Sequence, residues 1–232
     1  TVLSDVDGLG GRLTIRGHSL AELAGRWSFP QVVRLLLDGF FEDLPGDTEL
    51  AAQLGEARVE VCERTGPSLS LLPPLYISSA MRAGMALLPA GKTRADALRL
   101  IAAPAVLTPA LLRLQRGEQP VAPDGKADHA ADMLRMLRGS VPSPALAKAL
   151  DTYLVTVCDH GLNASTFATR VVASTLAGLT SSVLAGLGAL KGPLHGGAPG
   201  PVIEMLDAIE APGHAAGWLR HEMAYGRRSM GV

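Results

Sequence analysis

Apolar residues recur at helical spacing along nearly the whole chain; the exception is its start. There Arg12-Leu13-Thr14-Ile15-Arg16 alternates polar with apolar, and Asp7-Gly8 and Gly10-Gly11 are turn signals, so residues 5–18 predict a short antiparallel hairpin. From Ser19 onward the period lengthens. Ser19 with Glu22 three residues later is a capping box for a helix over 20–26, and Ser28 followed by Pro30 opens another over 30–37 that Gly39 closes. Further helices are predicted over 47–64, 75–88, 94–102, 109–116, 129–138, 144–158, 165–190, 201–209 and 214–228, with Pro or Gly in nearly every gap. The βαβ alternation is absent, which argues against a parallel sheet. The fold class is therefore all-α with a short N-terminal β-hairpin. The polar, Pro-containing segment 117–128 reads as a mobile surface connection.

Composition narrows the setting more than the chemistry. With 232 residues the chain can bury a sizeable core, as one large domain or a large domain with a smaller partner. The net charge is -1 and Lys and Arg are dispersed, so nothing electrostatic points to nucleic acid or an anionic membrane, and an anionic substrate has to be met locally. Cys62 and Cys158 lie far apart with no CxxC, which reads as free core thiols in a reducing, cytoplasmic compartment rather than a disulfide or zinc site. Thr1 begins a polar run with no apolar signal region, and the absence of an initiating Met suggests trimming. Residues 171–190 carry no charge over the length of a bilayer span, about 20 residues. Ser174, Thr175, Thr180, Ser181 and Ser182 along it, with Gly178, Gly186 and Gly188 and no aromatic belt, favour a helix buried in the core or at a subunit interface instead.

The candidate chemistry concentrates in two segments. Asp159-His160-Gly161-Leu162-Asn163-Ala164-Ser165-Thr166-Phe167 and Lys191-Gly192-Pro193-Leu194-His195-Gly196-Gly197-Ala198 place two histidines at opposite ends of one apolar stretch, each beside a glycine where the chain must turn. His160 and Asn163, three residues apart just before a helix, can converge on one ligand, and Asn163 can also cap that helix. The glycines after His195 let the backbone approach a ligand closely, and the helix expected from Pro201 would turn its positive end toward the imidazole. Read alone, the His-Gly-Gly run is better explained as a buried histidine satisfied by backbone carbonyls.

In their order and separation these segments resemble the two active-site segments of citrate synthases. The similarity begins near Asp7-Gly8 and Arg16-Gly17-His18, passes through FPQVVRLLLDG at 29–39 and HAADMLRMLR at 129–138, and becomes dense over 149–198. It covers essentially the whole chain and is closest to the shorter bacterial type. The resemblance implies a mostly helical homodimer with a large domain, here 1–197, and a small domain, begun by 198–232, that closes over a cleft. It also implies condensation of acetyl-CoA with oxaloacetate through an enol, then hydrolysis of the citryl thioester, a reaction of the tricarboxylic acid cycle needing no metal or redox cofactor. 2-Methylcitrate synthases, which take propionyl-CoA, share the motifs. A non-catalytic paralogue or fragment is the alternative from a different class.

Residue by residue, the resemblance gives His195 the place of the histidine that hydrogen-bonds the thioester carbonyl, and Ser165 that of the hydroxyl orienting it. His160 takes the place of an oxaloacetate-binding histidine and Asn163 that of an adjacent cleft residue. Arg227 and Arg228 are weaker candidates for a CoA phosphate, against a reading as solvated helix-end cations. Pro199 stands where many members carry Asn, as it does in shorter bacterial forms. The family's second catalytic histidine, catalytic aspartate and substrate-clamping arginines fall beyond the point matched by Val232, so these residues alone are expected to be inactive. The chemistry suits the assignment: a methyl proton beside a thioester is poorly acidic, and a neutral imidazole N–H donated to the thioester oxygen stabilises the enol as it forms.

Other candidates fail. His221-Glu222 opens a zinc-protease pattern, but Tyr225 occupies the second ligand position. Gly8, Gly10 and Gly11 lack the strand-loop-helix setting of a nucleotide fold. His18, His129 and His214 read as structural or surface residues, and no Ser-His-Asp arrangement is defensible.

Overall fold

The computed structural model describes residues 1–73, 75–192, 195 and 199–225. Strands β1 (Ser4–Asp7), β2 (Arg12–Ile15) and β3 (His18–Ser19) form an antiparallel sheet in that order, with Ser4 opposite Ile15 and Ile15 opposite His18. The expected hairpin thus gains a third strand. Arg16 and Gly17 both take positive φ, 49° and 87°, the two-residue turn whose twist matches a hairpin.

Helices account for the rest: α1 (Leu20–Leu23), α2 (Phe29–Leu37), α3 (Asp47–Leu69), α4 (Ile77–Met85), α5 (Arg94–Gln115), α6 (His129–Arg138), α7 (Pro144–Thr156), α8 (Ala164–Ser174), α9 (Leu179–Leu190), α10 (Pro199–Ile209) and α11 (Ala215–Ala224). The all-α class holds. Starts are set where expected: Glu22 accepts the Ser19 N–H at 2.7 Å and Gln31 the Ser28 N–H at 2.9 Å.

Two departures have clear causes. The pattern predicts two helices, 94–102 and 109–116, and the structure has one, α5, with Pro104 and Pro109 inside it. Each internal proline costs about 3 kcal/mol. Against that, α5 buries Leu98, Leu100, Val106, Leu107 and Leu111, each contributing about 1.5–3 kcal/mol, so packing prevails. Among the described residues α5 is also the helix long and apolar enough to cross a membrane by length and composition; here it runs through the main core, packed on α3, α4, α6 and α9.

Conversely, the single helix predicted over 165–190 is two. Leu176 and Gly178 take φ of 60° and 88°, which no right-handed helix accommodates, and the new start is tied down by Leu179 N–H to Gly91 O (3.1 Å) and Thr180 Oγ1 to Pro89 O (2.6 Å). Of residues 171–190, expected in the core or at a subunit interface, the part buried within this chain is in α9. Helix α9 buries Thr180, Ser182 and Gly186, but α8 buries no residue, and Phe167 and Leu176 are 62% and 74% exposed.

The segment 117–128 is likewise not the free connection expected. Buried Arg58 of α3 donates to Asp124 O (3.0 Å) and Ala127 O (2.6 Å), Arg113 to Gln119 O (2.7 Å) and Arg135 to Ala122 O (2.6 Å). A second, smaller core joins the sheet to the helices: Ile15, Leu23, Val32 and Val155 are each fully buried against one another. It fixes α7 to β2, and the end of α7 leads into the segment carrying His160. No described side chain of α10 or α11 joins either core. Cys62 and Cys158 are free and half-buried.

Candidate active site

The site is built around the first turn of α8. Asn163 is its N-cap, with extended backbone (φ −142°), and its Oδ1 accepts from Thr166 N–H at 2.9 Å and Thr166 Oγ1 at 3.1 Å. The capping role open to Asn163 in the sequence is therefore filled, and convergence with His160 occurs as well. Its Nδ2 lies 3.3 Å from His160 Nε2. An amide NH2 only donates, so His160 Nε2 accepts and its ring proton sits on Nδ1.

Ser165, one residue into the helix, joins this pair to His195. Its Oγ lies 2.8 Å from Asn163 Oδ1 and 2.8 Å from His195 Nε2, and its main-chain N–H donates to the same Nε2 at 3.3 Å. His195 sits in the turn after α9, its own N–H on Gly192 O at 3.0 Å. A backbone N–H also only donates, so His195 Nε2 presents its lone pair and Nδ1 carries the proton. Ser165 has one hydroxyl proton, so with Nε2 unprotonated it donates either to His195 Nε2 or to Asn163 Oδ1, and the four residues form one polar cluster joined through that hydroxyl. His160 is exposed; the other three are half-buried.

Helix α8 also turns a helix end on His195, through an orphan first-turn N–H that points at the imidazole. Helix α10 begins at Pro199, earlier than the expected 201, and residues 196–198 lie outside the described residues, as do Arg227 and Arg228. Nearby Cys158 offers no thiolate: burial first, and then the adjacent Asp159 charge, push its pKa up to about 11. His221, rejected as a metal ligand, packs against Tyr225 with ring centres 4.8 Å apart and the planes tilted by 53°.

Helix α9 backs the site closely. Thr169 Oγ1 donates to Ser165 O at 2.8 Å, and a Cβ on Gly186 would meet that Oγ1 at 2.2 Å and Ser165 O at 3.3 Å. The small residue at 186 is what lets α9 lie against the turn that carries Ser165. Nothing local in the sequence marks this contact.

Residues 1–232 match the family model described as the citrate synthase C-terminal domain. The chain belongs to the citrate synthase family. It is 36% identical to a 2-methylcitrate synthase from Mycobacterium tuberculosis over 100% of its own length and 61% of the relative's. It is 33% identical to a citrate synthase from Acidithiobacillus ferridurans, over 96% of this chain and 61% of that one. Among solved structures it is similar to the citrate synthase of Thermoplasma acidophilum in ternary complex with carboxymethyl coenzyme A and oxaloacetate, with a TM-score of 0.83, 25% identity, and coverage of 99% of this chain and 63% of the other. The chain thus spans somewhat under two thirds of the length of the citrate synthase relatives it matches.

Proposed function

We propose that the protein carrying this chain condenses an acyl-CoA with oxaloacetate, as citrate synthases do. The observation that supports it best is the cluster of His160, Asn163, Ser165 and His195, because donors from Asn163 and from the Ser165 main chain meet the Nε2 atoms and so put each imidazole's proton on Nδ1. His195 donates from Nδ1 to the thioester oxygen while a base removes the α-proton, and the enol carbon then attacks the keto carbon of oxaloacetate. Ser165 fixes the imidazole by occupying Nε2. His160 and Asn163 bind oxaloacetate. Water cleaves the resulting thioester, releasing CoA and the tricarboxylic acid; no metal or redox cofactor takes part. We assign the base to none of residues 1–232.

The higher identity to the 2-methylcitrate synthase supports a second reading, in which the acyl group is propionyl rather than the acetyl of the tricarboxylic acid cycle. We further assign 1–197 to a large domain and 198–232 to the start of a small one, in line with no described side chain of α10 or α11 joining either core. A homodimer is supported by the open apolar face of α8, where Phe167 and Val171 are exposed, and a cytoplasmic location by two free cysteines whose thiols burial keeps protonated. Arg227 and Arg228 stay as candidates for a CoA phosphate. The test is CoA thiol release by the full-length natural protein with acetyl-CoA or propionyl-CoA, each with and without oxaloacetate. Oxaloacetate-dependent release is expected with at least one thioester; no release with either would overturn the reading.

A further inference from the structure

The His160 side chain is lightly held: among the described residues its ring accepts one hydrogen bond, from Asn163 Nδ2, and the ring is exposed. Its position therefore depends on the main chain on either side, and both sides are anchored to the N-terminal sheet. The hydroxyl of Ser4, a buried residue of β1, donates to Asp159 Oδ1. That same oxygen accepts the Gly161 N–H at 3.0 Å. Gly161 takes φ of +86°, a conformation that favours glycine, and a Cβ there would lie 3.3 Å from Val6 Cγ2, so β1 backs the turn directly. Ile15, opposite Ser4 in the sheet, shares a core with Val155 of α7. Sheet and helix are thereby one packed body, and the Ser4 to Asp159 bond closes it onto the turn that presents His160.

We propose that Ser4 and Asp159 are positioning residues for His160, so that the N-terminal sheet belongs to the oxaloacetate-binding apparatus. The inference rests on the assignment of His160 to oxaloacetate. Asp159 acts through its Oδ1, which gathers the Ser4 hydroxyl and the Gly161 N–H and so fixes the backbone at both neighbours of His160. Losing the Ser4 hydroxyl leaves the turn with its local bond only. A turn that must be ordered on binding weakens affinity, while chemistry at His195 proceeds as before once the ligand is held.

The experiment measures oxaloacetate affinity by calorimetry, with kcat and both KM values, in the full-length natural protein. Ser4→Ala and Asp159→Ala should each weaken oxaloacetate binding roughly tenfold, the scale of one lost hydrogen bond, with kcat held within about twofold. Ser4→Thr, which keeps the hydroxyl, and Asp159→Asn, which keeps the accepting oxygen, should restore most of the affinity and also control for folding. Ser4→Ala added to His160→Ala should weaken binding no further than His160→Ala alone. The inference is overturned if Ser4→Ala leaves affinity unchanged, lowers kcat with KM for oxaloacetate intact, or adds its full effect in the His160→Ala background. Unchanged affinity in His160→Ala itself would instead sink the assignment beneath it, and the two failures are told apart by that variant.

Discussion

An alanine in place of a helical glycine ordinarily stabilises a protein, by about 0.5–1 kcal/mol. At Gly186 the opposite is expected. The new methyl would sit 2.2 Å from Thr169 Oγ1, about 1 Å inside the roughly 3.3 Å at which carbon and oxygen meet, and 3.3 Å from the Ser165 carbonyl. Thr169 can turn its side chain away only by giving up its hydrogen bond to Ser165 O, worth about 1 kcal/mol. If it holds, α8 must move off α9, and overpacking of this kind costs about 1–3 kcal/mol. Either response disturbs the turn that carries Ser165, whose Oγ and N–H both reach His195 Nε2. A displacement near 1 Å can cost up to about a hundredfold in rate. We expect Gly186→Ala to destabilise by about 1–3 kcal/mol in urea unfolding and to lower kcat more than KM, with Thr169→Ala in the same chain recovering much of the loss. A Gly186→Ala protein that is more stable than its parent and turns over normally would refute the claim that this contact sets the site.

Two further predictions concern the buried cluster that pins 117–128. Asp132, fully buried, accepts from Arg58 Nε at 2.9 Å, from Arg135 at 2.7 and 3.0 Å and from Asp124 N–H at 3.1 Å, so Asp132→Leu should cost about 3–5 kcal/mol by stranding Arg58; a loss under about 1 kcal/mol in chemical unfolding would contradict it. Burial first, and then the Arg58 charge, lower the pKa of His129 from 6.5 to about 3, so the unfolded chain binds a proton there that the folded one does not. Stability from this residue is complete above pH 6.5 and falls as pH drops toward 3, by up to about 1.4 kcal/mol per pH unit; His129→Gln should remove that part of the slope, and identical slopes in the two proteins would refute it.

What was legible in the sequence was what is local. Ser19 with Glu22 and Ser28 before Pro30 mark helix starts because the cap bonds span three residues, and Asn163 caps α8 for the same reason. The two-residue turn at Arg16-Gly17 escaped notice because an arginine supplies one of its positive φ values. At Pro104 and Pro109 the local signal was correct in kind and outweighed by burial, while at Leu176 the helix breaks at a residue with no turn signature. The loop 117–128 looked free because its buried anchor, Arg58, is over sixty residues away, and the nearer Arg113 and Arg135 carry no mark of the carbonyls they hold. In the site, the pairing of His160 with Asn163 could be read from spacing, but the bond from Ser165 to His195 spans 30 residues and entered the sequence reading only through family resemblance. Ser4, 155 residues from Asp159, had no signal at all.

The central claim is that His195, oriented by Ser165, stabilises the enol of an acyl-CoA. Its most direct test is kcat for CoA release, with oxaloacetate and the preferred acyl-CoA, in full-length His195→Ala beside the parent protein. The account predicts a fall of roughly a hundredfold or more with an unchanged melting curve. Near-parental turnover in a folded His195→Ala protein would contradict it.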